Sequence, residues 1–345
     1  MRREGMIMAS GDYSFLLKEP LPWNKLNGAN ILVTGANGLI ASNLVEALLQ
    51  VANQLGLDCR VYALTRNSEK ARIRFSRYAN DPCLRIIEAD VSEDFDSLVN
   101  YQYIIHAASS ACPEAFNRHP VDVMKSNFIG TLRLLDKFCK NSSARFLFVS
   151  SSEVYGENEE GKEFFTEDDF GSVNFARFRA CYPESKRASE TLCMSYKQQY
   201  SSDVVIVRPS FIFGKEIADS NTRADVYFLR QALNGEAIVM NSRGTQLRSY
   251  LYVKDCVNGM MYALLKGDSG DVFNIGDPEC IVALCDYARQ IANAGGVELR
   301  FDLEQDSKDM VFLKTGKCVL DSTKLQQLGW RCHYSLQAGI ADLFE

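Results

Sequence analysis

The stretch from Asn30 to Leu55 constrains the fold of this chain more than any other. Ile31-Leu32-Val33 is a short apolar run of strand type, TGANGLIA follows, and an amphipathic helical pattern then continues to about Leu55. Gly35 and Gly38 follow the strand, and Ala41 takes the third small position. Glycine permits a tight turn and lets the backbone approach a pyrophosphate, while a helix start offers N–H donors and the positive end of a dipole. Strand, glycine turn and helix in that order predict a dinucleotide site at Gly35, Asn37, Gly38, Leu39 and Ile40.

Further strand patterns at 60–64, 84–87, 103–106 and 145–150 alternate with helical patterns near 68–78 and across 121–140. Such alternation predicts an α/β chain with a Rossmann-type, doubly wound parallel sheet. The second strand ends in LTRN, without the acid that NAD-binding folds often place there for the ribose hydroxyls. Arg66 either holds the extra phosphate of NADP or faces solvent. Asp90 and Val91 follow the third strand, and Asp90 is either an adenine contact or a turn aspartate. His106-Ala107-Ala108-Ser109 closes the fourth strand with small residues, as a cofactor lying across the strand ends requires. His106 itself reads as a structural histidine rather than a base.

The length of 345 residues suits one domain with an appended lobe. A net charge of −6 argues against nucleic acid as a partner. No apolar run reaches membrane-spanning length, and MRREGMIMASGDYSF has no apolar core of signal-peptide length. The eleven cysteines are scattered without metal-ligand spacing, which predicts reduced thiols, a cytoplasmic setting and no metal. Residues 1–28, with Pro20 and Pro22, read as an extension packed outside the core through Phe15 and Trp23. Residues 29–208 read as the NAD(P)-binding domain. After Arg208 the alternation loosens: short strands at 237–240 and 272–275 mix with helices near 223–234, 253–266, 280–293 and 335–344. Residues 209–345 therefore read as a smaller substrate-binding lobe interleaved with the last strands of the sheet.

The chemistry is carried by RACYPESKRASE, residues 179–190. Tyr182 and Lys186 are four apart, one turn from each other on a helix. An ammonium beside a phenol favours the phenolate, so Tyr182 is a candidate acid or base for a sugar hydroxyl or carbonyl. The strand at 145–150 delivers Ser151, Ser152 and Glu153 to the carboxyl edge of the sheet, where doubly wound folds bind ligands. A hydroxyl there can bond a substrate oxygen opposite Tyr182, and a carboxylate can exchange a proton at a neighbouring carbon.

GANGLIA, HAAS, SSSEVYG and YPESK, in this order, resemble the extended short-chain dehydrogenase/reductases that act on nucleotide sugars as epimerases, dehydratases and decarboxylases. The resemblance runs from about Asn30 to Trp330. Within that family RACYPESKRASETLC is similar to the RACYDEGKR-x-x-ET segment of UDP-glucuronate decarboxylases. SNFIGTLRLL, the run NTRADVYFLRQALNGE and GTQLRSYLYVKDCVNG resemble segments of the same enzymes. The resemblance implies a bound NAD, with NADP left open, and a UDP- or other nucleotide-linked sugar. It implies Ser151, Glu153, Tyr182 and Lys186 as catalytic residues, with Lys186 on the nicotinamide ribose and lowering the pKa of Tyr182. Ser152, Arg179, Arg223 and Arg248 fall at substrate-binding positions, and Ala107, Ala108 and Ser109 join Asp90 and Val91 on the cofactor. Oxidation at sugar C4 then precedes decarboxylation, with 4,6-dehydration or 4-epimerisation as alternatives and a catalytically dead cofactor-binding regulator as a remote one. Family members pair as homodimers through helices at about 121–140 and 182–200. The chain departs from the pattern at Phe211, where the family has asparagine, at Phe116, where decarboxylases have tyrosine, at Lys215, which replaces proline, and around 308–317, which lacks an arginine.

Overall fold

Strands in chain order are β1 (Asn30–Thr34), β2 (Arg60–Thr65), β3 (Leu84–Glu88), β4 (Tyr103–His106), β5 (Arg145–Val149), β6 (Asp203–Pro209), β7 (Phe211–Phe213), β8 (Ile238–Met240), β9 (Leu247–Tyr252), β10 (Val272–Ile275), β11 (Ile281–Ala283), β12 (Leu299–Phe301) and β13 (Lys317–Cys318). The principal helices are α1 (Leu39–Leu55), α2 (Ser68–Arg74), α3 (Pro113–Arg118), α4 (Pro120–Met124), α5 (Gly130–Leu134), α6 (Cys181–Tyr200), α7 (Ala224–Leu233), α8 (Val253–Lys266) and α9 (Leu284–Gly295). The computed structural model describes residues 11–95, 99–140, 142–158, 161–215, 221–303 and 317–345. The 308–316 stretch noted for its missing arginine lies outside them.

Seven strands form one parallel sheet in the order β10-β6-β5-β4-β1-β2-β3. Strand order reverses between β1 and β4, so the crevice of a doubly wound sheet opens at their carboxyl ends. Side chains alternate across the sheet: Ile31 and Val33 pack into a core with α1 and α8, whereas Leu32 joins a second core on the other face with Phe146, Phe148 and Cys193. Burial on both faces explains why these strands read as continuous apolar runs. β10 joins this sheet beside β6, while β7, β9, β11 and β13 form a smaller sheet, and β8 pairs with β12.

Three local differences from the sequence expectations have physical causes. The helix expected across 121–140 is interrupted by π turns at Lys125–Ile129 and Leu135–Cys139. In the first, the Asn127 carbonyl accepts from the hydroxyls of Thr131 and Ser189, the latter at 3.0 Å, and so is drawn out of the ordinary ladder. The helix expected from 280 begins only at Leu284, because residues 281–283 pair antiparallel with β9. Residues 11–28 do not stay outside the core: Tyr13 and Leu16 are fully buried in it, with Trp23 and Leu26 nearly so. Gln50 of α1 fastens this segment, accepting from Tyr13 N at 2.9 Å and donating to the Gly11 carbonyl at 2.8 Å.

Candidate active site

Above the carboxyl ends of β1, β2, β4 and β5 lies a cavity of about 700 Å³. Gly35 makes its floor possible. Its φ is +72°, and a Cβ there would stand 2.6 Å from the Ala108 Cα, so the β1 and β4 ends can meet only at glycine. Gly38 precedes α1, whose first N–H groups have no partners within the helix. Asn37 is locked by bonds from Nδ2 to Thr65 Oγ1 at 2.7 Å and to the Asn67 carbonyl at 2.9 Å, yet its Oδ1 has no partner among the described residues. The buried Ser109 and Ser150 hydroxyls likewise have none. Orphaned polar atoms around a glycine cradle at a helix start fit a dinucleotide, with the Gly35–Ile40 turn on its pyrophosphate.

Asp90 serves both readings offered for it. It lines the cavity and also accepts from Ser92 N at 2.8 Å and Ser92 Oγ at 2.7 Å, as a turn aspartate does. Burial pushes its pKa up, but the Ser92 bonds and the Arg66 charge outweigh that and hold it below its ordinary value. Arg66 lies 3.9 Å from Asp90, largely exposed at the cavity mouth. His106 is structural: it is buried, pairs through Nδ1 with Thr34 Oγ1 at 2.8 Å, and has its pKa pushed down to about 3, chiefly by burial and then by Lys186.

The reacting groups gather where β5 ends. Ser151, in extended conformation, caps the short turn Ser152–Tyr155, its hydroxyl accepting from Glu153 N at 3.2 Å. Gly156 ends that turn at φ +69°, packed so closely on the Ser172 carbonyl that a Cβ would lie 2.3 Å from its oxygen. Tyr182 and Lys186 come from the first two turns of α6, as the four-residue spacing predicts. The Ser151 hydroxyl stands near enough to the Tyr182 phenol to lower its proton affinity. Lys186 donates to the Val149 carbonyl at 2.7 Å, with its ammonium 4.8 Å from the Phe148 ring centroid and 5.8 Å from that of Tyr182.

The help expected from Lys186 in deprotonating Tyr182 has to work against the surroundings of the phenol. Burial, followed by the Glu153 charge, raises the phenol to about 12, and Ser151, Arg223 and Arg179 only partly offset them. Burial also lowers Lys186 to about 7, so the ammonium is itself costly to maintain.

Ser151, Ser152, Glu153, Tyr182, Lys186 and Arg223 share the cavity wall with Gly35, Asn37, Gly38, Leu39, Ile40, Arg66, Asp90, Val91, Ala107, Ala108 and Ser109. The geometry is that of a strand-end pocket whose glycine turn lies beside a Ser/Tyr/Lys group. The chain matches the NAD dependent epimerase/dehydratase family over residues 31–276. It belongs to that family. UDP-glucuronic acid decarboxylase 6 of Arabidopsis thaliana is 35% identical to it over 76% of the chain and 74% of the relative. UDP-glucuronic acid decarboxylase 5 of the same plant is 32% identical over 90% and 86%. Among solved structures, UDP-glucuronic acid 4-epimerase from Bacillus cereus superposes with a TM-score of 0.76 at 22% identity, over 91% of this chain and 98% of that one.

Against the family pattern, Arg179 and Arg248 do not line the cavity. Arg179 pairs with Glu153, and Arg248 lies over the Phe211 ring with its Cζ 4.7 Å from the centroid. Arg223, just ahead of α7, grips Asp225, with Nε to Oδ1 at 3.0 Å, and donates to the Ile212 carbonyl at 3.1 Å. The sequence reading missed Ser210 and Tyr287 on the wall. Ser210 sits in RPSFIFG and could have been found as the polar residue just after β6. Tyr287 arrives from the distant α9, and nothing local signals it.

Proposed function

We propose that this protein is a nucleotide-sugar decarboxylase that takes UDP-glucuronate, oxidises the sugar at C4 with bound NAD, and releases its carboxylate as carbon dioxide. The observation that carries the reading is the placement of Ser151, Glu153, Tyr182 and Lys186 on one wall of the cavity whose floor is the Gly35 turn. The identity to decarboxylases over most of both chains supports the substrate.

In this reading the Gly35–Ile40 turn holds the cofactor pyrophosphate, Asp90 and Val91 face the adenosine end, and Lys186 bonds the nicotinamide ribose. NAD, when bound, supplies a reversible hydride acceptor. Tyr182 removes the C4 hydroxyl proton while Ser151 bonds the same oxygen. The resulting C4 ketone stands β to the C5 carboxylate. Cleavage of the C5–C6 bond then passes its electron pair into the enolate and frees carbon dioxide. Protonation at C5 follows, and Tyr182 returns its proton to O4 as C4 regains the hydride it gave up. Arg223 is assigned to the nucleotide diphosphate.

Glu153 favours a second reading. A carboxylate on the wall suits proton removal at C5, as 4,6-dehydration of an uncharged nucleotide hexose requires. Release of labelled carbon dioxide from carboxyl-labelled UDP-glucuronate supports decarboxylation, and water loss from a nucleotide hexose without it supports the alternative.

The proposed assembly is a homodimer through the 120–139 helical stretch and α6, where Val121, Met124 and Met194 are exposed apolar side chains. The proposed setting is the cytoplasm, which suits free buried thiols such as Cys139, Cys193 and Cys256. Among the described residues no helix is long and apolar enough to cross a membrane.

A further inference from the structure

Arg179 makes contacts that the reaction above does not use. Its fork meets both oxygens of Glu153, with Nη1 to Oε2 at 3.2 Å, Nη2 to Oε1 at 3.3 Å and Nη2 to Oε2 at 3.2 Å. Its Cζ lies 4.4 Å from the Phe116 ring centroid, and that ring packs 4.9 Å from the Tyr182 ring at 32°. Glu153, Arg179, Phe116 and Tyr182 thus form one column, assembled from the turn after β5, the short turn Phe178–Ala180, α3 and α6. The Arg179 and Glu153 side chains are only 13% and 26% exposed. An arginine fixed by a ring below and a bidentate carboxylate beside it has little freedom, unlike an exposed surface pair. Glu153 reaches the cavity wall and Arg179 does not.

We propose that Arg179 is a positioning residue: laid on the Phe116 ring, its guanidinium aims the Glu153 carboxylate into the cavity and cancels that carboxylate's charge beside the Tyr182 phenol. The proposal rests on the roles given above to Glu153 and Tyr182. Phe116, one of the departures from the decarboxylase pattern, becomes the shelf of this device. The charged groups that face Tyr182 are Glu153 from the turn after β5, Arg179 from the turn before α6, Arg223 ahead of α7, and Lys186 on its own helix. Glu153 raises the proton affinity of the phenol, and Arg179 and Arg223 oppose it. Without Arg179, Glu153 is left beside Tyr182 as a half-buried charge that has lost its counter-ion.

The test compares wild type, Arg179→Gln, Arg179→Lys, Glu153→Gln and the Glu153→Gln/Arg179→Gln double variant, all as NAD-loaded protein with thermal melting as the check on folding. Turnover is followed by product formation from UDP-glucuronate, or from whichever nucleotide sugar of a panel the wild type converts. In Arg179→Gln the acidic limb of the kcat/KM profile moves to higher pH by about one unit. In Arg179→Lys, which keeps the charge but loses the fork, the limb stays near the wild-type position and kcat falls. In the double variant the limb returns, because no charge remains to be balanced. A limb unmoved in Arg179→Gln, or equally displaced in the double variant, overturns the proposal.

A second measurement needs no substrate. The Tyr182 phenolate fraction at one alkaline pH, isolated by subtracting the Tyr182→Phe spectrum, should rank Glu153→Gln above wild type and wild type above Arg179→Gln. That ranking without any sugar oxidation sinks the proposed function and keeps the role of Arg179. Decarboxylation of UDP-glucuronate with neither the ranking nor the limb shift does the reverse.

Discussion

Tyr182 lies in a buried pocket with Phe116 packed on its ring, and burial, followed by the Glu153 charge, raises the proton affinity of its phenol. A group so placed contributes to turnover only through proton transfer, so Tyr182→Phe should lower kcat by roughly 10²–10⁴-fold while the protein melts as wild type does. Full turnover in that variant would remove Tyr182 from the chemistry. Gly35 is constrained by backbone alone. At φ +72°, with a Cβ destined to fall 2.6 Å from Ala108 Cα, Gly35→Ala should cost about 2 kcal/mol or more, read as a lower denaturant midpoint, and should weaken NAD binding. A midpoint equal to wild type would show that the β1–β4 contact is looser than described. Glycine at this position was legible because strand, turn and helix follow one another within a few residues. The Arg179–Phe116–Tyr182 column was not, since α3 supplies its middle member from more than sixty residues away.

At the scale of an element, α6 combines function and instability. Its buried face carries Lys186, whose pKa is lowered from 10.5 to about 7 by burial. A depressed lysine contributes stability that is present above pH 10.5 and is lost as pH falls toward 7. Lys186→Met should therefore stabilise the cofactor-free protein by roughly 1–3 kcal/mol at and below pH 7, with the gain shrinking toward pH 10, while abolishing turnover. A variant that melts below wild type at pH 7 would contradict this and would show that the Val149 carbonyl bond outweighs desolvation. Position and spacing of Tyr182 and Lys186 on α6 were readable from period alone. The balance between their charges was not, because burial against Phe116 and Phe148 raises the proton affinity of the phenol and lowers that of the ammonium. The π turns across 120–139 were equally hidden. They depend on Thr131 and Ser189 both reaching the Asn127 carbonyl, and Ser189 belongs to another helix.

On the scale of the whole molecule, the first described turns and the C-terminal segment meet. Glu19 accepts from the Tyr262 hydroxyl at 2.6 Å and lies 2.7 Å from His333 Nε2, so the first described turns are tied to α8 and to the C-terminal segment. Phe15 and Trp23 suggested packing contacts, but the burial of Tyr13 and Leu16 within the core was not legible, since they find it only through tertiary contacts. The exposed Val121, Met124 and Met194 lead to the expectation of a dimeric mass by sedimentation, and Val121→Glu should shift it toward the monomer. A monomeric wild type would withdraw the proposed interface. Decarboxylation shows itself in the mass of the product after the NAD-loaded protein meets UDP-glucuronate. The account predicts a nucleotide sugar lighter by one carbon dioxide. An unchanged mass, with water lost instead from a nucleotide hexose in a parallel reaction, would contradict it.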